Sequence, residues 1–272
     1  MSFRLPWSAV FTLLLFATVS AYWIWWKPVE NQPNALPAYP IERNIRYSYL
    51  IKNVSGKYIK QTDFWSYAPV KQTSTQKILD IQSANDFRLE IDGQGNQRLL
   101  FTLSDIPPYG TKTITVNVSL GMSESPNRLP NIDTKRFLRA DQYIELDLPK
   151  IKNLSKQLQG ADPYETAEAN FKWVTQNLTD AGFVQNDRGA AYAINSKSGD
   201  CTEYMYLLTA LNRSSGIPTQ GVSGFVVKED SVLRSREYHN WTVTFIDGVW
   251  QIIDPHKESF MSNNATYIAM RL

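Results

Sequence analysis

From residue 45 the chain alternates. Ile45, Tyr47, Tyr49 and Ile51 point one way, with mostly polar residues between them. That period of two is the mark of a strand with one buried face. Similar runs recur around residues 57–67, 77–82, 86–91, 98–103 and 112–120, and the last places Ile114, Val116, Val118 and Leu120 on one face. The turn signals VSGK, DGQGN and PPYG separate them. Short strands with regular punctuation and no helical period predict an antiparallel β-sandwich over residues 43–122. No nucleophile, base and acid gather in this region, so its expected role is that of a spacer or binding module.

Residues 123–150 read as a connector, and at Asp162 the period changes. Asp162 is placed as a helix N-cap, with Pro163 at the first helical position and Glu165 at the third. Tyr164, Ala167, Phe171, Val174 and Leu178 then recur at three- and four-residue steps as a core-facing stripe, and Gly182 follows as a stop. A further helix is predicted after Asp200, which has Glu203 three residues later as a capping box requires; Gly216-Ile217-Pro218 ends it. Asp247-Gly248 between two alternating apolar runs predicts a two-residue hairpin. Centring the turn there pairs Ile246 with Val249, sets Trp241 opposite Asp254, and makes His239 and Asp254 diagonal neighbours on one face. Diagonal Cα separations of roughly 7–8 Å leave such side chains within reach of each other. A register slip of one residue would move one of them to the other face.

The first segment changes the expected compartment. WSAVFTLLLFATVSAYWIWW, residues 7–26, carries no charge, and roughly 20 apolar residues at about 1.5 Å each span a hydrocarbon core. Arg4 before it and Lys27 after it favour an amino terminus inside, and Trp23, Trp25 and Trp26 suit the outer interface. The alternative is a cleaved signal peptide with Val19-Ser20-Ala21 as its cleavage site. Residues 1–27 are thus read as a transmembrane anchor or signal peptide, and residues 28–42 as a linker. The rest is expected on the extracytoplasmic side, periplasmic or extracellular.

Composition mostly excludes. The 272 residues are 43% hydrophobic and 20% charged, with 28 basic against 26 acidic residues and a net charge of +2. There is no long basic run, so nothing points to nucleic acid. One cysteine rules out an internal disulfide or a paired-cysteine metal site. With only two histidines, a zinc site is poorly supplied; no metal or other cofactor is expected.

That single cysteine, Cys201, falls at the first position of the capped helix. Unpaired N–H groups and the helix dipole there favour a thiolate and could stabilise an oxyanion. Gly199 allows another segment to approach closely. A lone cysteine also packs well as a small hydrophobe, so the reading turns on a base. The hairpin supplies one: an aspartate accepting from one ring nitrogen fixes the imidazole tautomer and leaves the other nitrogen for a thiol proton. Cys201, His239 and Asp254 therefore form a candidate thiol-nucleophile triad. Taken singly, His239 could be a half-buried strand histidine and Asp254 a strand-end residue before Pro255. His256 is the competing base, its direction left open because Pro255 interrupts the ladder.

GDCTEYMYLLTALNRSSGIP and YHNWTVTFIDGVWQIIDP resemble the transglutaminase-like superfamily, particularly its bacterial envelope members. RGAAYAI, residues 188–194, is similar to the stretch upstream of the family's cysteine, and the resemblance covers about residues 160–260. It implies that Cys201 is the nucleophile, His239 the base and Asp254 the residue orienting it. The implied fold class is α+β: a papain-like core over residues 151–272, its cysteine helix packed on an antiparallel sheet. The region before it looks like the immunoglobulin-like domain of some bacterial members. Asn240 is a departure, since many relatives have a small residue there. Gln185 and Tyr192 are candidates by position for a second oxyanion donor. The implied chemistry is attack on a glutamine carboxamide or peptide carbonyl of an envelope protein or peptide. An acyl-thioester forms and is resolved by water or by an amine. The alternatives are a catalytically inactive binding or scaffold protein of the same fold, and a peptidase of another papain-like clan.

Overall fold

The alternating runs fold as strands. In the computed structural model, which describes residues 36–130 and 133–272, they are β1 (Ile41–Lys52), β2 (Ile59–Ala68), β3 (Gln76–Ser83), β4 (Phe87–Ile91), β5 (Gln97–Ile106) and β6 (Thr111–Met122). β1 pairs with β6 along its whole length, from Ile41↔Met122 to Lys52↔Thr111, and β3 flanks β6 on the other side. β2, β5 and β4 form a second antiparallel sheet. The inward residues of both sheets meet: Ile45 and Tyr47 share one core with Leu99, Phe101, Ile114 and Val116. The uncharged segment 7–26 lies outside the described residues, among which no helix is long and apolar enough to cross a membrane.

The helical part begins with α1 (Pro149–Gln157) and α2 (Pro163–Asn177). α2 starts where its cap predicts: the Glu165 amide donates to Asp162 Oδ1 at 2.8 Å, and Pro163 opens the helix. Ala167, Phe171 and Val174 are buried along its inner face, whereas Tyr164, in the first turn, stays 44% exposed. β7 (Thr179–Asp180) and β8 (Ser198–Gly199) form a small parallel pair around α3 (Gly189–Ser196). α4 (Cys201–Ser214) is the central element; Leu207, Leu208, Ala210 and Leu211 are fully buried. Burial on nearly all sides makes it a core helix rather than a surface one.

α4 lies against a five-stranded sheet built from β9 (Thr219–Val226), β11 (His239–Ile246), β12 (Val249–Asp254), β13 (Ser259–Phe260) and β14 (Tyr267–Arg271), in the order β13-β12-β11-β9-β14. The two-residue strand β10 (Ser231–Val232) leaves this region and pairs parallel with β1, Ile45↔Ser231 and Arg46↔Val232. Residues 37–272 form one compact unit, and β14 shows how. Successive side chains of a strand face opposite ways. Ile268 and Met270 enter the core of the amino-terminal sheets, whereas Tyr267 and Ala269 join Val222, Trp241 and Ile252 beneath the helix-distant face of the five-stranded sheet. Gln76, fully buried, clamps the junction: the Ala269 amide donates to its Oε1 at 2.8 Å, and its Nε2 donates to Ala269 O at 3.1 Å.

Candidate active site

The hairpin has the register its turn predicts, from Ile246↔Val249 to Thr242↔Ile253. Asp247 and Gly248 both have positive φ, +53° and +81°, which is what a tight two-residue turn of the right twist requires. As a result His239 Nε2 lies 2.7 Å from Asp254 Oδ2, with His239 6% exposed and Asp254 fully buried. A carboxylate only accepts, so this partner places the proton on Nε2 and leaves Nδ1 with a lone pair. Asp254 also accepts from Tyr267 Oη at 3.0 Å and from the Lys257 amide at 3.0 Å. Three donors offset the cost of burying that charge. Burial, and then the neighbouring Asp254 charge, push the Tyr267 phenol well above its ordinary range, so it remains a donor.

The start of α4 is equally well defined. The Thr202 amide donates to Asp200 Oδ1 at 2.8 Å, and the Asp200 amide donates to Glu203 Oε2 at 3.1 Å, completing the capping box. Glu203 is fully buried and is also bound by Arg188, through Nη2 at 2.7 Å and the main-chain amide at 3.0 Å. The close approach that Gly199 permits is that of Glu203: a Cβ at 199 would run into the Glu203 side chain. The RGAAYAI stretch thus anchors the cap of the cysteine helix.

The sulfur itself sits against Asn240. Asn240 Nδ2 donates to Cys201 Sγ at 3.5 Å and to Thr202 Oγ1 at 2.9 Å, while Ser223 Oγ donates to Asn240 Oδ1 at 2.6 Å and so aims the amide at the thiol. Among the described residues no hydrogen bond joins Sγ to His239. The reason is strand alternation. α4 packs on the face of β11 that carries Asn240, Thr242 and Thr244, as the Asn212 Nδ2 bond to Thr244 Oγ1 at 3.2 Å shows. His239 begins β11 with its ring on the other face, beside Trp241. Sulfur and imidazole therefore lie on opposite faces at the start of β11.

Burial pushes the Cys201 thiol above its ordinary pKa, and the charge of Asp200 adds to the rise; main-chain and side-chain N–H groups of Asn240 and the Thr202 side chain pull the other way. The thiolate expected from a helix start is thus outweighed by desolvation, and the thiol needs a base. His256 turns elsewhere: its Nε2 is 3.4 Å from Asp180 Oδ2, and its ring packs 5.1 Å from that of Tyr204 and 5.5 Å from that of His239.

Cys201, Thr202, Asn240 and Gln185 line a cleft of about 1200 Å³ whose opposite wall is β1. Gln185 therefore shares the cleft of the thiol. Tyr192 is not: α3 turns its ring outward, under the Arg188 guanidinium at 4.1 Å from the ring centre, which corrects the expectation that it faces the nucleophile. Tyr267 and Ser223 were not legible as site residues, because Ser223 reaches Asn240 from the adjoining β9 and Tyr267 reaches Asp254 from β14 at the edge of the sheet, with no local spacing to mark either. Among the described residues no group of three or more His, Cys, Asp or Glu side chains is placed to hold a metal.

A search of curated proteins found no match. Among solved structures, a provisionally assigned cysteine protease from Cytophaga hutchinsonii shares the fold with a TM-score of 0.60 and 18% identity, over 85% of this chain and 79% of that one. The periplasmic domain of TgpA from Pseudomonas aeruginosa aligns with a TM-score of 0.42 and 14% identity, over 83% of this chain and 85% of that one. The family model described as the transglutaminase-like superfamily matches residues 152–255, the span that holds Cys201, His239 and Asp254. That match identifies a transglutaminase-like domain within residues 152–255.

Proposed function

We propose that this protein is a thiol-dependent acyltransferase or amidohydrolase acting on an amide of a protein or peptide in the cell envelope. The observation that carries the reading is the buried 2.7 Å bond between His239 and Asp254 at the strand end where the cysteine helix begins. In this reading His239 keeps its Nε2 bond to Asp254, the start of β11 and the helix start close on each other when substrate binds, and His239 Nδ1 takes the thiol proton. The thiolate attacks a glutamine carboxamide or peptide carbonyl, and Asn240 and the helix-start N–H groups receive the developing oxyanion. His239 returns the proton to the leaving amine, leaving an acyl-thioester that water or an amine resolves. Hydrogen bonds of a resting catalytic site commonly tighten only with substrate bound. We also read the two amino-terminal sheets as an immunoglobulin-like sandwich, and residues 7–26 as the anchor that holds the chain on the extracytoplasmic side. Recovery of the full chain in the membrane pellet after alkaline carbonate extraction supports the anchor; release into the supernatant refutes it.

The second reading is a scaffold without turnover, favoured by the sulfur's bond to Asn240 rather than to His239. Incubating the chain with envelope material and analysing it by mass spectrometry separates the two. An acyl group on Cys201, lost in His239→Ala, supports catalysis. Slow iodoacetamide labelling that is indifferent to His239→Ala, with no acyl adduct, supports the scaffold.

A further inference from the structure

β1 has two edges, and they are treated differently. One is covered by β6 over all twelve residues. The other is covered by β10 only at Ile45 and Arg46, and the last main-chain bond on that side runs from the Leu233 amide to Arg46 O at 2.8 Å. In an antiparallel strand, alternate residues direct both N–H and C=O to the same side. Arg46 faces β10, so Ser48 and Leu50 face the same, now open, edge. Neither has a main-chain partner there among the described residues, and Leu50 is 68% exposed. An open edge is a template for another strand.

This edge is not remote from the chemistry. Ser48, Tyr49 and Leu50 line the same cleft as Cys201 and Asn240. The chain leaving β10 runs past the cleft through Arg234 and Arg236 before it reaches His239. β10 is therefore a short strand already seated on this edge, and it stops where the cleft begins. Asp187 and Asp200 also line the cleft, but Asp200 is buried in the cap of α4 and Asp187 accepts from Tyr206 Oη at 2.8 Å. The charges that follow β10 along the edge point to an occupant. Arg234 and Arg236 are exposed and line the cleft, and neither makes an ion pair among the described residues. The nearby Glu237 carboxylate accepts the Arg234 main-chain amide at 3.2 Å.

We propose that the open edge of β1 recognises the substrate as an extended, acidic peptide, which adds to the sheet as a strand beyond β10 and brings its reactive amide to Cys201. Main-chain pairing supplies affinity, and Arg234 and Arg236 select Asp or Glu side chains. The proposal deepens the catalytic reading above and rests on it for the role of Cys201.

The test uses the full chain and a defined probe. The probe is the acetylated peptide Val-Glu-Val-Glu-Val ending in diaminopropionic acid that carries a chloroacetamide; the thiolate displaces chloride and a thioether forms. Alkylation of Cys201 by this peptide is expected to be ~10-fold faster than by chloroacetamide alone, about the worth of one or two main-chain hydrogen bonds. Methylating the peptide's main-chain nitrogens one at a time should slow alkylation with a period of two, by ~10-fold where the N–H faces β1 and hardly at all between. Ser48→Pro removes a donor from the open edge and none from the β6 ladder, a position where proline is tolerated; it should lower the peptide-to-chloroacetamide ratio. Replacing both Glu with Lys should slow the probe as well. A peptide no faster than chloroacetamide, or N-methyl effects equal at every position, overturns the proposal, and that series decides even if Ser48→Pro does not fold. A period of two combined with chloroacetamide labelling indifferent to His239→Ala overturns the catalytic reading alone. His239-dependent labelling without the period overturns the edge alone.

Discussion

Asn240 donates its side-chain amide to the sulfur at 3.5 Å, Ser223 fixes which way that amide points, and the main-chain N–H of Asn240 also lowers the thiol pKa. Both donors favour the charged form of an otherwise desolvated thiol. Asn240→Ala removes one of them, so the protonated form gains. The pH profile of iodoacetamide alkylation should shift to higher pH, and the rate at pH 7.5 should fall about 3- to 10-fold, the effect of roughly one hydrogen bond. A profile unchanged by Asn240→Ala would mean that the amide only fills space. The Asp254 end of the site is more rigid: full burial and three donors leave the carboxylate one orientation, and through it one imidazole tautomer.

At the scale of elements, the cysteine helix is fixed by its cap more than by its sequence of apolar residues. Gly199→Ala puts a methyl group into the Glu203 side chain. It should displace the carboxylate from both the Asp200 amide and Arg188. We expect a loss of about 1–3 kcal/mol from overpacking, and more if the buried Glu203 carboxylate loses its half-buried Arg188 partner; urea unfolding monitored by tryptophan fluorescence measures it. A wild-type midpoint in Gly199→Ala would show that the helix start tolerates the shift. The cap and the hairpin were both legible in the chain, because each is a local rule: Asp200 with Glu203, and Asp247-Gly248 setting Ile246 opposite Val249. The six amino-terminal strands were legible because one face of each meets a core and the other meets water. What could not be read is long-range. Which face of β11 would meet α4 depends on Asn212 reaching Thr244 across the sheet. The pairing of β10 with β1 involves two residues, too few for any alternation to register. Tyr192 misled because the direction of a side chain on a two-turn helix depends on what the helix docks against.

At the scale of the molecule, the amino-terminal sheets and the five-stranded sheet share interior residues. Phe225, Leu233, Ala265, Ile268 and Met270 lie in the core of the amino-terminal sheets, although they come from the half of the chain that carries the site. Residues 37–272 should therefore unfold in a single calorimetric transition, and a fragment beginning at residue 123 should not fold cooperatively. Gln76→Ala should lower stability by about 1–3 kcal/mol by leaving the buried Ala269 amide unpaired, while the Ala269 carbonyl keeps the Val70 amide at 2.8 Å. Two resolved transitions in the wild type would separate the halves and refute this.

β14 gives that sharing a sharper form. Its odd-numbered Tyr267 steadies the Asp254 carboxylate while its even-numbered neighbours Ile268 and Met270 fill the other layer. Chimaeras that trade the amino-terminal module for that of a distant relative would have to reproduce the sockets for both neighbours to a fraction of an ångström. Otherwise β14 would settle differently and carry the phenol with it. The heritable unit is thus the pair of layers together, and the two should diverge in step rather than shuffle.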